Sequence, residues 1–123
     1  MAGNYRRLEV WQKAMDLVMA CFRTTKCFPE NEICGLTTQL QRAAVSIPTN
    51  IAEGQEQPHA HAFLHHLDIA SGALDELERH LSTAQRRHYL HEQQVRGLLK
   101  QTAEVSHLLF TLQRYIGKNA EEK

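Results

Sequence analysis

Between Ala60 and Ala84 the apolar residues Ala60, Phe63, Leu67, Ala70, Leu74, Leu77, Leu81 and Ala84 recur at alternating steps of three and four. That spacing keeps the whole series on one face of an α-helix and would scatter it over both faces of a strand. The pattern occurs four times along the chain, which leaves few folds open. Leu8, Trp11, Met15, Val18 and Phe22 form a first series, thickened by Ala14, Leu17 and Cys21. Ile33, Leu36, Leu40, Ala43 and Ile47 form a second, with Ala44 and Ile51 alongside. Val95, Leu98, Thr102, Val105, Leu109, Leu112 and Ile116 form the fourth.

The interruptions are equally legible. Phe28-Pro29-Glu30-Asn31 ends the first helix, with Asn31 as the expected N-cap of the second. Gly54 closes the second, and Pro58 suits the first turn of the third, where a missing N–H costs nothing. The segment from Arg87 to His91 must form the third turn without a glycine, and Gly117 fits a C-cap ahead of a solvated tail from Lys118 to Lys123. Short loops reverse the chain direction each time. The expectation is one domain spanning 1–123, all-α, an antiparallel up-down-up-down four-helix bundle with helices at about 5–27, 31–54, 58–87 and 91–117. With only 6 glycines and 3 prolines among 123 residues, an all-β chain with many turns is excluded.

Fourteen Lys and Arg balance 14 Asp and Glu, so the net charge is zero. A dedicated nucleic-acid binder is basic overall or along one segment, whereas here basic residues come only in short pairs, Arg6-Arg7 and Arg86-Arg87. Three cysteines, Cys21, Cys27 and Cys34, cannot all pair, and the opening Met-Ala-Gly-Asn-Tyr-Arg-Arg has no apolar signal-peptide core. Free thiols in a reducing cytoplasm are expected, a Cys27–Cys34 bridge across the first turn being the alternative. No apolar run approaches the roughly 20 residues of a membrane span.

Local propensity and periodicity disagree between Arg42 and Gly54. Gln39, Arg42, Ser46, Asn50 and Glu53 form a polar stripe rotated about 100° from the apolar face, and Pro48 falls inside the helix, at a cost of ~3 kcal/mol in an ordinary helix interior. A solvated face would account for the polar stripe alone. Yet Val45, Thr49 and Ala52, on the remaining faces, are small or apolar and give solvent little claim on this helix.

This segment resembles the signature of the bacterial four-helix bundle proteins, also called large-subunit ribosomal RNA intervening-sequence proteins. Arg42-Ala43-Ala44-Val45-Ser46-Ile47-Pro48, followed by Asn50-Ile51-Ala52-Glu53-Gly54, carries the likeness. The stretch from Leu8 to Ala14 is similar to the family's first-helix opening, Phe28-Pro29 with Glu32, Gly35 and Leu36 to its first turn, and Leu74, Glu76, Leu77 and Glu78 to its third helix. The resemblance implies an up-down bundle that assembles into a cyclic homo-oligomer, typically a pentamer, without established enzymatic activity. Related bundle proteins serve as accessory factors to reverse transcriptases and bind nucleic acid. The chain departs from the pattern after Gly54, where the often basic segment reads Gln55-Glu56-Gln57-Pro58-His59.

A buried arginine has to be paired. Counting from the turns, Arg42 lies near Asp16 on the first helix and level with Asp68 to Asp75 on the third, and Asn50 lies level with Phe63. Arg42 is therefore expected to bind one or more of Asp16, Asp68 and Asp75, so that Gln39, Arg42, Ser46, Pro48, Asn50, Glu53 and Gly54 act as a structural polar motif. Trp11 at a core position would seek an indole partner in Asn50 or Glu53. Gly72, inside the third helix, suggests close approach of a neighbouring helix or subunit.

Eight histidines include the spacings His61/His65 and His88/His91, but no His-Glu-x-x-His and no paired Glu-x-x-His of a di-iron bundle. Neither a phosphate-cradling glycine loop nor a nucleophile beside its base is present. No catalytic residue, metal or cofactor is expected. The leading expectation is a cytoplasmic, non-enzymatic scaffold or adaptor that self-assembles. An RNA- or nucleoprotein-associated accessory protein is the alternative, with Arg6, Arg7, Arg86, Arg87 and Arg96 gathered on one rim of a ring. A third is a metal or small-molecule site around His61, His65 and Glu53.

Overall fold

A computed structural model describes residues 4–121. Four helices, α1 (Glu9–Thr25), α2 (Thr38–Gln55), α3 (Ala60–Arg86) and α4 (Glu92–Glu121), account for most of them, and no strand occurs among the described residues. The helices pack in cyclic order, α1 against α2 and α4, and α3 against α2 and α4. Seven of the eight apolar residues predicted for α3, all but Ala60, are buried in the common core. They meet Ala14, Leu17 and Cys21 of α1, Leu40, Ala44, Ile47 and Ile51 of α2, and Val95, Leu98, Val105 and Leu109 of α4. Thr102 is buried with them without penalty, because its hydroxyl donates to the Leu98 carbonyl at 2.8 Å.

Two turns meet at one end of the bundle. A 3-10 turn at Glu30–Glu32 and a π turn at Ile33–Thr37 precede α2, so Asn31 is not its N-cap. Thr37 stands at the N-cap of α2 without a side-chain bond, and the Glu32 carboxylate caps the π turn ahead of it, with Oε1 accepting from the Leu36 N–H at 3.3 Å. A side chain at Gly35 would put its Cβ 3.0 Å from that oxygen. The irregular turn also swings Ile33 out of the core, leaving it 57% exposed. Glu32 Oε2 accepts from Arg87 Nη1 at 2.5 Å and from the Tyr89 hydroxyl at 2.7 Å, tying the first turn to the third. These contacts hold the Glu32 carboxyl below its ordinary range, the Tyr89 hydrogen bond contributing most, and raise the Tyr89 phenol in return.

The third turn solves its lack of glycine with His88, which takes the left-handed conformation at φ 63°. Tyr89 N–H then reaches the Ala84 carbonyl at 2.9 Å and His88 N–H the Gln85 carbonyl at 3.0 Å, the paired bonds of a Schellman cap. At the opposite end Pro58 and His59 lie beside Ile116, Asn119 and Ala120 around a small cavity. Pro58 precedes α3 rather than entering it. Gly117 does not end α4, which runs on to Glu121. Of the expected tail, Glu122 and Lys123 lie outside the described residues, as do Met1 to Gly3 of the chain's opening.

Candidate functional site

Helix α2 shows different chemistry to its two neighbours. On the flank toward α3, Asn50 Nδ2 donates to the Ser46 carbonyl at 2.9 Å and to Ser46 Oγ at 3.1 Å. That orientation turns Asn50 Oδ1 toward His66 Nδ1, 3.0 Å away. Since the amide oxygen only accepts, Nδ1 carries the hydrogen of the imidazole. Glu53 Oε2 lies 3.8 Å from the same nitrogen. One turn on, Gly54 lets the two helices close: a Cβ there would sit 2.9 Å from Phe63 Cδ1 and 3.0 Å from His66 Cβ. Ser46, Asn50, Glu53 and Gly54 thus form one unit with α3, and Asn50 stands level with His66 rather than with Phe63.

The other members of the stripe do not join them. Arg42 and Gln39 are exposed. Among the described residues Arg42 makes no ion pair with Asp16, Asp68 or Asp75, so the expected buried pairing is corrected. Asp68 accepts from Gln113 of α4 at 3.0 Å, and Asp16 and Asp75 are exposed. The physical reason is angular: Arg42 lies farther round the helix than Ser46 and Asn50, on a side that none of the described helices covers.

On the flank toward α1, an open groove of about 410 Å³ runs between the helices. Trp11, Met15 and Val18 form one wall, Val45, Pro48, Thr49 and Ala52 the other, with Tyr5 and Glu53 at one end. Helix α2 continues unbroken through Pro48, which is buried and gives the wall a rigid apolar surface. Trp11 is half-buried and packs edge-on against Tyr5, ring centres 5.3 Å apart, and among the described residues its indole makes no hydrogen bond to Asn50, which faces His66, or to Glu53. In the groove wall Val45 is 41% exposed, and farther along α1 Met19 is 52% and Phe22 38% exposed. Large apolar side chains gathered on one open face are uncommon on a monomeric protein. The sequence pattern had assigned Trp11, Met15 and Phe22 to the core, whereas they extend it outward.

The remaining candidates separate in space. Arg6 and Arg7 precede α1 at one end of the molecule, while Arg86, Arg87 and Arg96 lie toward the other, at the turn that Glu32 engages. The single basic rim is therefore corrected to two separate groups, and Arg87 and Arg96 are paired with Glu32 and Glu92. His61 and His65 are exposed, and Glu53 turns to His66 instead. Among the described residues no group of three His, Cys, Asp or Glu side chains is placed to hold a metal. All three cysteines are unpaired, and burial pushes the Cys21 thiol up to about 12. Sequence reasoning missed the joining of Glu32 to Arg87 and Tyr89, although Glu32 and Gly35 already belonged to the first turn in the family resemblance. It also missed His66, visible only as half of an adjacent histidine pair.

These features, four long helices around one apolar core with a polar α2–α3 seam and an open α1–α2 groove, define an all-helical bundle. The chain belongs to the 23S rRNA-intervening sequence protein family, whose model matches residues 6–111. It is similar in fold to the crystal structure of a protein of unknown function from the S23 ribosomal protein family of Bacteroides thetaiotaomicron. The TM-score is 0.78 at 23% identity, over 84% of this chain and 96% of that one. No curated protein matches the chain. No helix among the described residues is long and apolar enough to cross a membrane.

Proposed function

We propose that this protein is a non-enzymatic, cytoplasmic adaptor built on an antiparallel up-down-up-down bundle, which works as a cyclic homo-oligomer. The observation that carries the reading is the open apolar groove of Trp11, Met15, Val45 and Pro48, with Met19 and Phe22 of α1 exposed as well. Burying such a face gains roughly 25 cal/mol per Å² of apolar area. Five copies is the number that the family resemblance implies. The Ser46–Asn50–His66–Glu53 unit spends its hydrogen bonds on holding α2 to α3, which suits a structural role. Light scattering on the purified protein should give a multiple of the single-chain mass, and five copies at working concentration. A monomer would overturn the proposal.

A second reading, association with ribosomal RNA or a reverse-transcriptase nucleoprotein, draws on the family description and on the exposed Arg6 and Arg7 at one end. In a ring these residues from every copy would share one rim. Titration with structured RNA at low and moderate salt tests it, and binding without salt dependence, or none, removes it.

A further inference from the structure

Helix α4 carries a second stripe that the core does not use. Ala103, His107, Phe110, Arg114 and Gly117 recur at steps of four, three, four and three, the same period as the buried series. The first four are exposed, Phe110 at 57%. A helix that repeats this period on two sides offers packing positions to helices on both. Across from the stripe, Asp75 and Glu78 of α3 line a cleft of about 430 Å³ with Ala103, Ser106, His107 and Phe110. The trough therefore has three stations along α4: the carboxylates of Asp75 and Glu78, the ring of Phe110, and the cations of Arg114 and Lys118. The Arg114 guanidinium carbon lies 5.8 Å from the centre of the Phe110 ring, which joins the aromatic station to the basic one. Glu104 turns away to Lys13 of α1, and Asp68, beside the basic station, accepts from Gln113 at 3.0 Å. At about 1.5 Å per residue the acidic and basic stations stand about 17 Å apart, three helical turns, with Phe110 between them.

We propose that this trough binds an amphipathic helix of a different protein, one that carries a carboxylate, two apolar side chains and a cation at positions i, i+4, i+7 and i+11 of one face. That spacing covers the three turns between the stations. The carboxylate meets Arg114 and Lys118, the apolar pair brackets Phe110, and the cation meets Asp75 and Glu78. The small side chains of Ala103 and Ser106 let the incoming backbone approach closely. The bound helix runs opposite to α4, because a carboxylate near its N-terminus and a cation near its C-terminus also suit its own dipole. Inverted, it would set its cation against Arg114 and Lys118. Past Glu78 the surface turns basic again at Arg79 and Arg86, which bounds the acidic station. The open groove of a second copy does not present such a face. Among the described residues its lining holds one carboxylate, Glu53, and no lysine or arginine. The inference rests on the adaptor reading and names the chemistry of the partner that the adaptor holds.

The probe is a fluorescein-labelled, alanine-rich peptide of about 20 residues, long enough to hold a helix, with glutamate, two leucines and lysine at those spacings. Its control has the glutamate and lysine exchanged and is otherwise identical. Anisotropy titrations with the full chain should show the matched peptide binding at least about tenfold more tightly than the control. Phe110→Ser should weaken the matched peptide by about tenfold or more. A variant carrying Asp75→Lys, Glu78→Lys, Arg114→Glu and Lys118→Glu should invert the preference between the two peptides. All five positions are exposed, and circular dichroism verifies the helix content of each variant. No binding, equal affinities, a preference that does not invert, or binding indifferent to Phe110→Ser overturns the proposal. Sedimentation decides the other occupant: if Phe110→Ser dissociates an assembled wild type, the trough holds a second copy and the proposal falls. A monomeric wild type that passes the peptide test overturns self-assembly and leaves the partner site standing.

Discussion

The imidazole of His66 stands 3.0 Å from the amide oxygen of Asn50, and through that amide it is linked to the Ser46 carbonyl on the preceding turn of α2. This one relationship sets the height of α3 against α2. A half-buried hydrogen bond of this type contributes about 0.5–1.5 kcal/mol. Asn50→Ala and His66→Ala should each lower the unfolding free energy by about 1 kcal/mol in urea titrations. Because the two groups act through each other, the double variant should lose less than the sum, with a coupling of at least ~0.5 kcal/mol. Strict additivity would show that the contact contributes nothing.

Three backbone positions make opposite predictions. Gly54→Ala should destabilise by about 1–3 kcal/mol, since its Cβ would meet Phe63 and His66 at 2.9 and 3.0 Å, a clash that outweighs alanine's better helix propensity. Gly72 has nothing within 4 Å of an added Cβ, so Gly72→Ala should stabilise by about 1 kcal/mol. His88→Gly should stabilise by about 0.5–1 kcal/mol, because a left-handed conformation at φ 63° suits glycine better than a β-substituted residue. Thermal and urea melts of the three variants measure all of this, and a uniform response would refute it.

The cluster of Glu32, Arg87 and Tyr89 makes stability depend on pH at both extremes. The Glu32 carboxyl is held below its ordinary 4.5, first by the Tyr89 hydrogen bond, so its contribution is present above that value and is lost as pH falls through the lower folded-state value. The Tyr89 phenol is raised above 10.0, first by the same bond, so its contribution is present below 10.0 and is lost as pH rises through the folded-state value. Urea midpoints for Glu32→Gln should therefore fall less steeply than wild type below pH 4.5. Tyr89→Phe should flatten the alkaline limb in the same way. Parallel wild-type and variant curves would exclude the linkage.

Thiol chemistry should sort the three cysteines by burial. Cys27 and Cys34 are exposed, whereas Cys21 is fully buried with its thiol pushed up to about 12. An aromatic disulfide reagent at neutral pH should titrate two thiols per chain in the native state and the third only after unfolding. Three fast thiols would contradict the placement of Cys21 in the core.

Much of the fold was legible because helix periodicity is a local property. The α3 series from Phe63 to Ala84 is buried as its spacing predicts. The turns were less legible. The sequence pointed to Asn31 as a cap, but Glu32 caps the π turn ahead of α2 instead, because its carboxylate also reaches Arg87 and Tyr89, residues more than fifty positions away. The candidate site was half legible. Ser46, Asn50, Glu53 and Gly54 stood out in the sequence, and their partner His66 did not, since one histidine among eight carries no local signal of what it faces.

Apolar spacing and breaks by themselves determined that the chain forms four helices and which side of α2, α3 and α4 faces inward, because both depend on residues within a few turns of one another; the inward face of α1 turned out rotated from the Trp11–Met15–Phe22 series. Where those helices leave gaps was decided only by their packing. Arg42 and Val45 sit on the same helix as Asn50, yet α3 covers Asn50 while the other two are left exposed by the described elements. A helix presents its whole circumference to the sequence reader, and only the positions of its neighbours divide that circumference into seam, core and open groove.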